Sequence, residues 1–182
     1  WRESDAPAPL SVYGQTKLEG ERAVAANSKH LTLRTSWVYA ARGGNFAKTM
    51  LRLASERDTL TVINDQIGAP TSAELLADVT AHALRSALAR PELAGLYHCV
   101  AGGQTSWHGY ARYVLGQAQA LGWPLKAGPE QVAPTSTASY PTPARRPLNS
   151  RLDTSHLQQA FGLTLPHWEQ GVARLLSEIK GE

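Results

Sequence analysis

One cysteine, Cys99, stands among 182 residues. A lone thiol excludes an internal disulfide and a cysteine-rich zinc site, and it fits a reducing, cytoplasmic setting. Long apolar runs are missing too. The longest candidate, Ala73 to Leu88, is broken by Glu74, Asp78, His82 and Arg85, so nothing approaches the roughly 20 residues that span a bilayer. Charge of one sign is scarce: 18 basic and 15 acidic residues leave +3. Without a dense Lys/Arg cluster, that excess argues against nucleic acid as a partner. The six histidines show no His-x-x-x-His pair and no useful carboxylate offset, so no metal ligands are assigned. A glycine-rich cradle for a dinucleotide pyrophosphate is also lacking. Gly43-Gly44 and Gly102-Gly103 each want a third glycine at the needed spacing. The chain opens on Trp1, without an initiator Met or a signal segment, and reads as the middle of something longer.

What is present is globular. Hydrophobic residues make up 42% and charged residues 18%, outside the range of disordered or fibrous chains. Apolar spacing predicts helices from Tyr13 to about Ala26, Phe46 to Arg57, Thr71 or Ser72 to about Leu88, and Trp107 to about Leu121. A short helix from Asp153 to Phe161 and a last one from His167 to Ile179 follow. Leu31–Tyr39, Leu60–Ile63 and Gly95–Val100 read as strands. Residues 122–150 carry six prolines and read as irregular. Strand and helix alternate with connections long enough for crossovers, which predicts an α/β fold with parallel strands.

Tyr13 and Lys17 are four residues apart at a helix start, so they share one face. A phenol keeps its proton to about pH 10, and an adjacent ammonium favours the ionised form. Such a pair can exchange a proton with a carbonyl or alcohol oxygen. On spacing alone, a tyrosine packed at a helix end beside an exposed lysine is the commoner outcome.

The context is more specific. The segment from Glu3 through Pro9-Leu-Ser-Val-Tyr-Gly-Gln-Thr-Lys17 to Glu21 resembles the active-site segment of dTDP-4-dehydrorhamnose reductases, which are extended short-chain dehydrogenases/reductases. The resemblance continues in order through Leu33-Arg-Thr-Ser-Trp-Val-Tyr39, Gly44-Asn-Phe46, Asn64-Asp-Gln-Ile-Gly-Ala-Pro-Thr71 and Arg145-Arg-Pro-Leu-Asn-Ser-Arg-Leu152. It implies reduction of dTDP-4-dehydro-β-L-rhamnose to dTDP-β-L-rhamnose by NADPH or NADH. Tyr13 would donate the proton and Lys17 would bind the nicotinamide ribose, with Ser36 and Val38 as further cofactor contacts. Trp37, Asn45, Phe46, Gln66, Pro70, Thr71, Arg145, Arg146 and Asn149 would serve the substrate. The third group of the family, a Ser or Thr well upstream of the Tyr, has no equivalent here.

The same resemblance implies the C-terminal part of a Rossmann-like NAD(P)-binding fold, over residues 1–63. A small α/β substrate-binding subdomain would occupy mainly 64–182, with the segments interleaved. The N-terminal half of the enzyme would then be a partner, and this chain alone would be inactive. A homodimer fits the analogy. Glu74, Glu169 and Glu178 are the residues an acidic, Mg-type dimer site would use, although their spacing adds no support. Ordinary readings compete at several positions. Asn45 reads first as a helix cap, His98 as structural, and Cys99 as an inert thiol. Two other assignments fit the motifs: another nucleotide-sugar reductase or epimerase, or a non-catalytic subunit like the regulatory subunit of methionine adenosyltransferase.

Overall fold

The structure is a computed structural model, and it describes residues 1–140 and 146–181. Small polar side chains start its helices. Helix α1 (Val12–Ala25) is capped by Ser11, whose Oγ accepts from the Gly14 N–H. Strand β1 (Leu31–Arg34) and the two-residue β2 (Val38–Tyr39) lead to α2 (Phe46–Glu56), capped by Asn45. Strands β3 (Leu60–Ile63), β4 (Ile67–Gly68) and β5 (Thr71–Ser72) precede α3 (Ala73–Ala89), where Ser72, not Thr71, is the cap. Then come β6 (Gly95–His98), β7 (Thr105–Ser106), and α4 (Trp107–Ala120) behind its Ser106 cap. Strand β8 (Val132–Thr135), α5 (Ser155–Phe161) and α6 (Trp168–Gly181) complete the order. Helix α5 stops at Gly162, which takes φ +64, the left-handed cap that glycine adopts without steric cost.

The strands form four two-stranded ladders. The pairs β1–β6, β2–β5 and β3–β8 are parallel, and β4–β7 is antiparallel. Parallel pairing across intervening helices is the α/β architecture that the alternation predicts. Beyond the added two-residue β5 and β7, the strand inventory differs from that reading in three places. The run Leu31–Tyr39 splits, because Trp37 turns to φ +52 and cannot extend a strand. The stretch after residue 122 is less irregular than its prolines suggest, since Val132–Thr135 pairs with β3. Pro134 is tolerated there because, among the described residues, β8 pairs with β3 alone, so a missing N–H costs no second ladder. The loop after Ile63 contains β4, held by Thr105 and Ser106.

Buried side chains fall into two clusters. One joins α3, β6 and α5 through Val79, Ala83, Tyr97, Leu157 and Phe161, with Leu31 and Leu33 of β1 packed on it. The other joins α2, β3, α4, β8 and α6 through Met50, Leu51, Val62, Val114, Leu115, Val132, Val172 and Leu176. The clusters interleave along the chain. Among the described residues, no helix is long and apolar enough to cross a membrane.

Candidate active site

Helix α1 carries the Tyr-x-x-x-Lys motif and buries none of its residues. Tyr13 is 71% exposed, and the Lys17 ammonium stands 5.4 Å from its ring centroid. The helical offset therefore brings cation and phenol ring together on an open face. One bidentate bond fastens the helix to β1. Arg34 Nε and Nη2 donate to the two Glu21 oxygens at 2.8 and 2.6 Å. The Glu21 carboxylate holds the guanidinium above its ordinary pKa.

At the C-terminal ends of β1 and β6, the first residues fold back over the chain. Glu3 accepts from the His98 N–H at 2.8 Å, and Trp1 O accepts from the Asp153 N–H at 2.7 Å. His98 is 1% exposed, and neither ring nitrogen meets the geometry of a hydrogen bond to a described residue. Burial pushes its pKa below the ordinary histidine value, against the pull of Glu3. Cys99 beside it is fully buried, which raises its thiol to about 11 and leaves it inert.

Trp37 lies where the chain leaves β1. Its indole stacks on Trp107, with centroids 3.8 Å apart and planes at 15°. Gly68 lies close against the same indole: a Cβ built on Gly68 would stand 2.7 Å from Trp37 Cε2. Phe46 packs on Trp107 at 4.7 Å and on Tyr110 at 5.1 Å, which leads the stack down into the larger core. Asn45 is fully engaged as a cap. Its Oδ1 accepts from the Lys48 N–H at 3.0 Å and its Nδ2 donates to Ala40 O at 2.7 Å.

The residues around Gln66 tie this stack to the later chain. Gln66 accepts from Trp107 Nε1 at 3.2 Å and donates to Thr137 Oγ1 at 3.1 Å. Thr137 in turn donates Oγ1–H and N–H to Asp65 at 2.6 and 2.9 Å. Those bonds hold the Asp65 carboxyl below its usual pKa. Pro70 is fully buried, and the buried Thr71 hydroxyl donates to Ala69 O and accepts from the Ala101 N–H. Residues 148–150 run beside Ile67, with Ile67 N–H donating to Leu148 O and Ser150 N–H to Ile67 O, each at 2.8 Å. Asn149 Oδ1 accepts twice from Arg151. Ser36 Oγ reaches Ser150 O at 3.4 Å.

The fold thus gathers Ser36, Trp37, Phe46, Gln66 and Asn149 from separate stretches of sequence. Val38 lies next in the chain and is 50% exposed, and Arg146 is exposed beside Pro147. Arg145 lies outside the described residues. No hydrogen bond or aromatic contact links Tyr13 or Lys17 to this group among the described residues. Of the glutamates considered for a cation, Glu74 pairs with Arg174 at 3.4 Å and Glu169 with His167 at 3.5 Å. No cluster of three metal-ligating side chains forms among the described residues. Sequence reading missed Trp107, Asp65 and Thr137. Trp107 follows a serine cap and carries no motif of its own, so no local signal marks it.

Parallel α/β ladders with a Tyr-x-x-x-Lys helix at the edge define a Rossmann-like fold of the short-chain dehydrogenase/reductase type. The RmlD substrate binding domain family matches residues 1–180, and the chain belongs to that family. It is 61% identical over 180 residues to the dTDP-4-dehydrorhamnose reductase of Salmonella typhimurium, covering 98% of this chain and 60% of that protein. The Escherichia coli K12 reductase is 59% identical over the same coverage. Among solved structures, the Bacillus anthracis reductase in complex with NADP superposes with a TM-score of 0.86 at 34% identity, over 97% of this chain and 59% of that one. The Clostridium acetobutylicum reductase gives 0.84 at 32% identity, over 99% and 60%. The chain therefore spans about 60% of the length of the curated relatives it matches. UDP-sugar 4-epimerases share the fold at lower identity, 13% in one case with a TM-score of 0.74.

Proposed function

We propose that this chain forms part of an enzyme that reduces the C4 ketone of dTDP-4-dehydro-β-L-rhamnose to dTDP-β-L-rhamnose. The paired Tyr13 and Lys17 carry the reading: an exposed phenol with an ammonium 5.4 Å from its ring centroid suits proton exchange with a sugar oxygen. Tyr13 gives its proton to the C4 oxygen. Lys17 holds the ribose hydroxyls next to the nicotinamide, with Ser36 and Val38 as further cofactor contacts. NADPH, when bound, supplies the hydride. The exposed α1 face suits the nicotinamide-ribose end of that cofactor. A glycine-rich pyrophosphate cradle does not occur in the sequence, so the remaining length found in the relatives is the partner that supplies it.

We assign the β1–β6 layer with α1 to the cofactor-binding unit and the layer built on α2, α4 and α6 to substrate binding, which moves β6 (within 64–182) and α2 (within 1–63) across the boundary read from the sequence. Arg145, Arg146 and Asn149 take the diphosphate, whose oxygens accept bidentate bonds from guanidinium groups. Trp37 borders the sugar. Asn45, Phe46, Gln66, Pro70 and Thr71 shape this border from within, since their polar groups and rings are engaged with protein. A homodimer in the cytoplasm fits the same reading.

The test joins this chain to the portion of the Salmonella relative that the match leaves uncovered. The expected result is NADPH oxidation dependent on dTDP-4-dehydrorhamnose in the joined protein and none in the chain alone. A joined protein that folds and binds NADPH but reduces no dTDP-4-dehydrorhamnose overturns the assignment.

A further inference from the structure

Trp37 keeps a backbone conformation, φ +52, that a bulky residue holds only when its surroundings over-determine it. Two neighbours do so. Trp107 covers one indole face at 3.8 Å. Gly68 covers the other, because an atom set between rings that close would meet Trp107 as soon as Trp37, whereas the three nearest atoms to a Gly68 Cβ all belong to Trp37. With both faces covered, the edge of the indole is what remains. Trp37 is only partly buried, and no hydrogen bond links its N–H to a described residue.

Trp107 is itself fixed in rotation. Phe46 packs against it at a tilt of 52°, and its Nε1–H donates to Gln66. Gln66 is 6% exposed and has both ends of its carboxamide engaged. Its orientation is therefore set by Thr137, and that of Thr137 by Asp65. Every polar group from the Asp65 carboxylate to the Trp107 indole is in a directed bond.

We propose that Trp107 is the positioning residue of this site. It holds Trp37 edge-outward, and Gln66 and Thr137 set its own rotation. The consequence for specificity is chemical: an indole face selects the apolar side of a sugar, whereas an outward N–H selects an oxygen acceptor. This inference rests on the reading that Trp37 borders the nucleotide sugar.

The first arm of the test does not depend on that reading. The five tryptophans give separate indole N–H signals in the isotopically labelled chain. Trp107→Leu is expected to displace the Trp37 signal as the ring current of the stacked indole is lost, with the Trp123 signal unmoved as a control for folding. Gln66→Leu, which removes the acceptor of the Trp107 N–H, and Thr137→Val, which frees Gln66, are expected to shift the Trp107 signal. A Trp37 signal unmoved in folded Trp107→Leu overturns the proposal, as does a Trp107 signal unmoved in both other variants. In the joined reductase, Trp107→Leu is expected to raise KM for dTDP-4-dehydrorhamnose about fivefold or more while kcat changes less than about threefold. An unchanged KM alongside a displaced Trp37 overturns the positioning role. Lack of turnover with native Trp107 counts against the proposed function alone, and the Trp37 signal then decides the positioning.

Discussion

Helices α1 and α4 are each 14 residues long and each starts at a serine cap. There the likeness ends. Helix α4 buries Tyr110, Ala111, Val114, Leu115 and Ala118, whereas α1 buries nothing. One is the spine of the larger core. The other is fastened to β1 chiefly by the Arg34–Glu21 pair and turns its chemical groups outward. The contrast separates two settings: α4 anchors Trp107 in the packed core, while α1 leaves Tyr13 and Lys17 exposed. Burial gives the frame its precision, and exposure gives the proposed proton-transfer pair its access.

The largest effect that would sharpen this contrast is on activity. In the joined reductase, Tyr13→Phe is expected to lower kcat by about 100-fold or more, the scale of a lost general acid. The melting temperature of the chain should hold, because the Tyr13 ring packs against little. Loss of stability in step with activity would make α1 part of the frame after all. Next comes the core. Leu115→Ala on α4 removes a fully buried side chain and is expected to cost about 2–5 kcal/mol by denaturant titration. Val24→Ala on α1 is expected to stay within about 0.5 kcal/mol.

Glycine offers a reciprocal pair. Gly68→Ala drives a methyl into the Trp37 ring and is expected to destabilise by about 1–3 kcal/mol. Gly20→Ala, with nothing within 4 Å of the new Cβ in mid-helix α1, is expected to stabilise by about 0.5–1 kcal/mol. Equal signs at the two positions would break the comparison. The smallest effect is on pH dependence. Burial lowers the folded-state pKa of His98, so the unfolded chain binds its proton first. Stability is then full above the unfolded histidine pKa of about 6.5 and falls as pH drops below it toward the folded value. Thermal melts from neutral to mildly acidic pH should show that slope in the wild type and a shallower one in His98→Gln.

Helices were the most legible part of the sequence, because caps and apolar spacing are local. Asn45 and Ser106 read as caps from the sequence and are caps in the fold, and of the pair Thr71 or Ser72 it is Ser72 that caps α3; Ser11, the cap of α1, goes unmarked in the sequence reading. Strands were less so. Leu31–Tyr39 has uniform β-forming composition, and nothing in it announces the break at Trp37, which Gly68 and Trp107 impose from elsewhere in the chain. Pro134 hid β8, since a proline rules out only a strand paired on both sides. Among the candidate site residues, the fold brings Ser36, Trp37, Gln66 and Asn149 together. Asn45 and Thr71 meanwhile spend their polar groups on the backbone.

The sequence by itself determined the shared face of Tyr13 and Lys17, because an offset of four in a capped helix fixes it whatever the remainder does. It also determined the family, through motifs that keep their order from Glu3 to Leu152. Which part of the Trp37 indole is left uncovered was decided by the tertiary structure alone. Stacking is a contact between surfaces, and Trp37, Gly68 and Trp107 become neighbours only after β4 has paired with β7 and α4 has settled on α2.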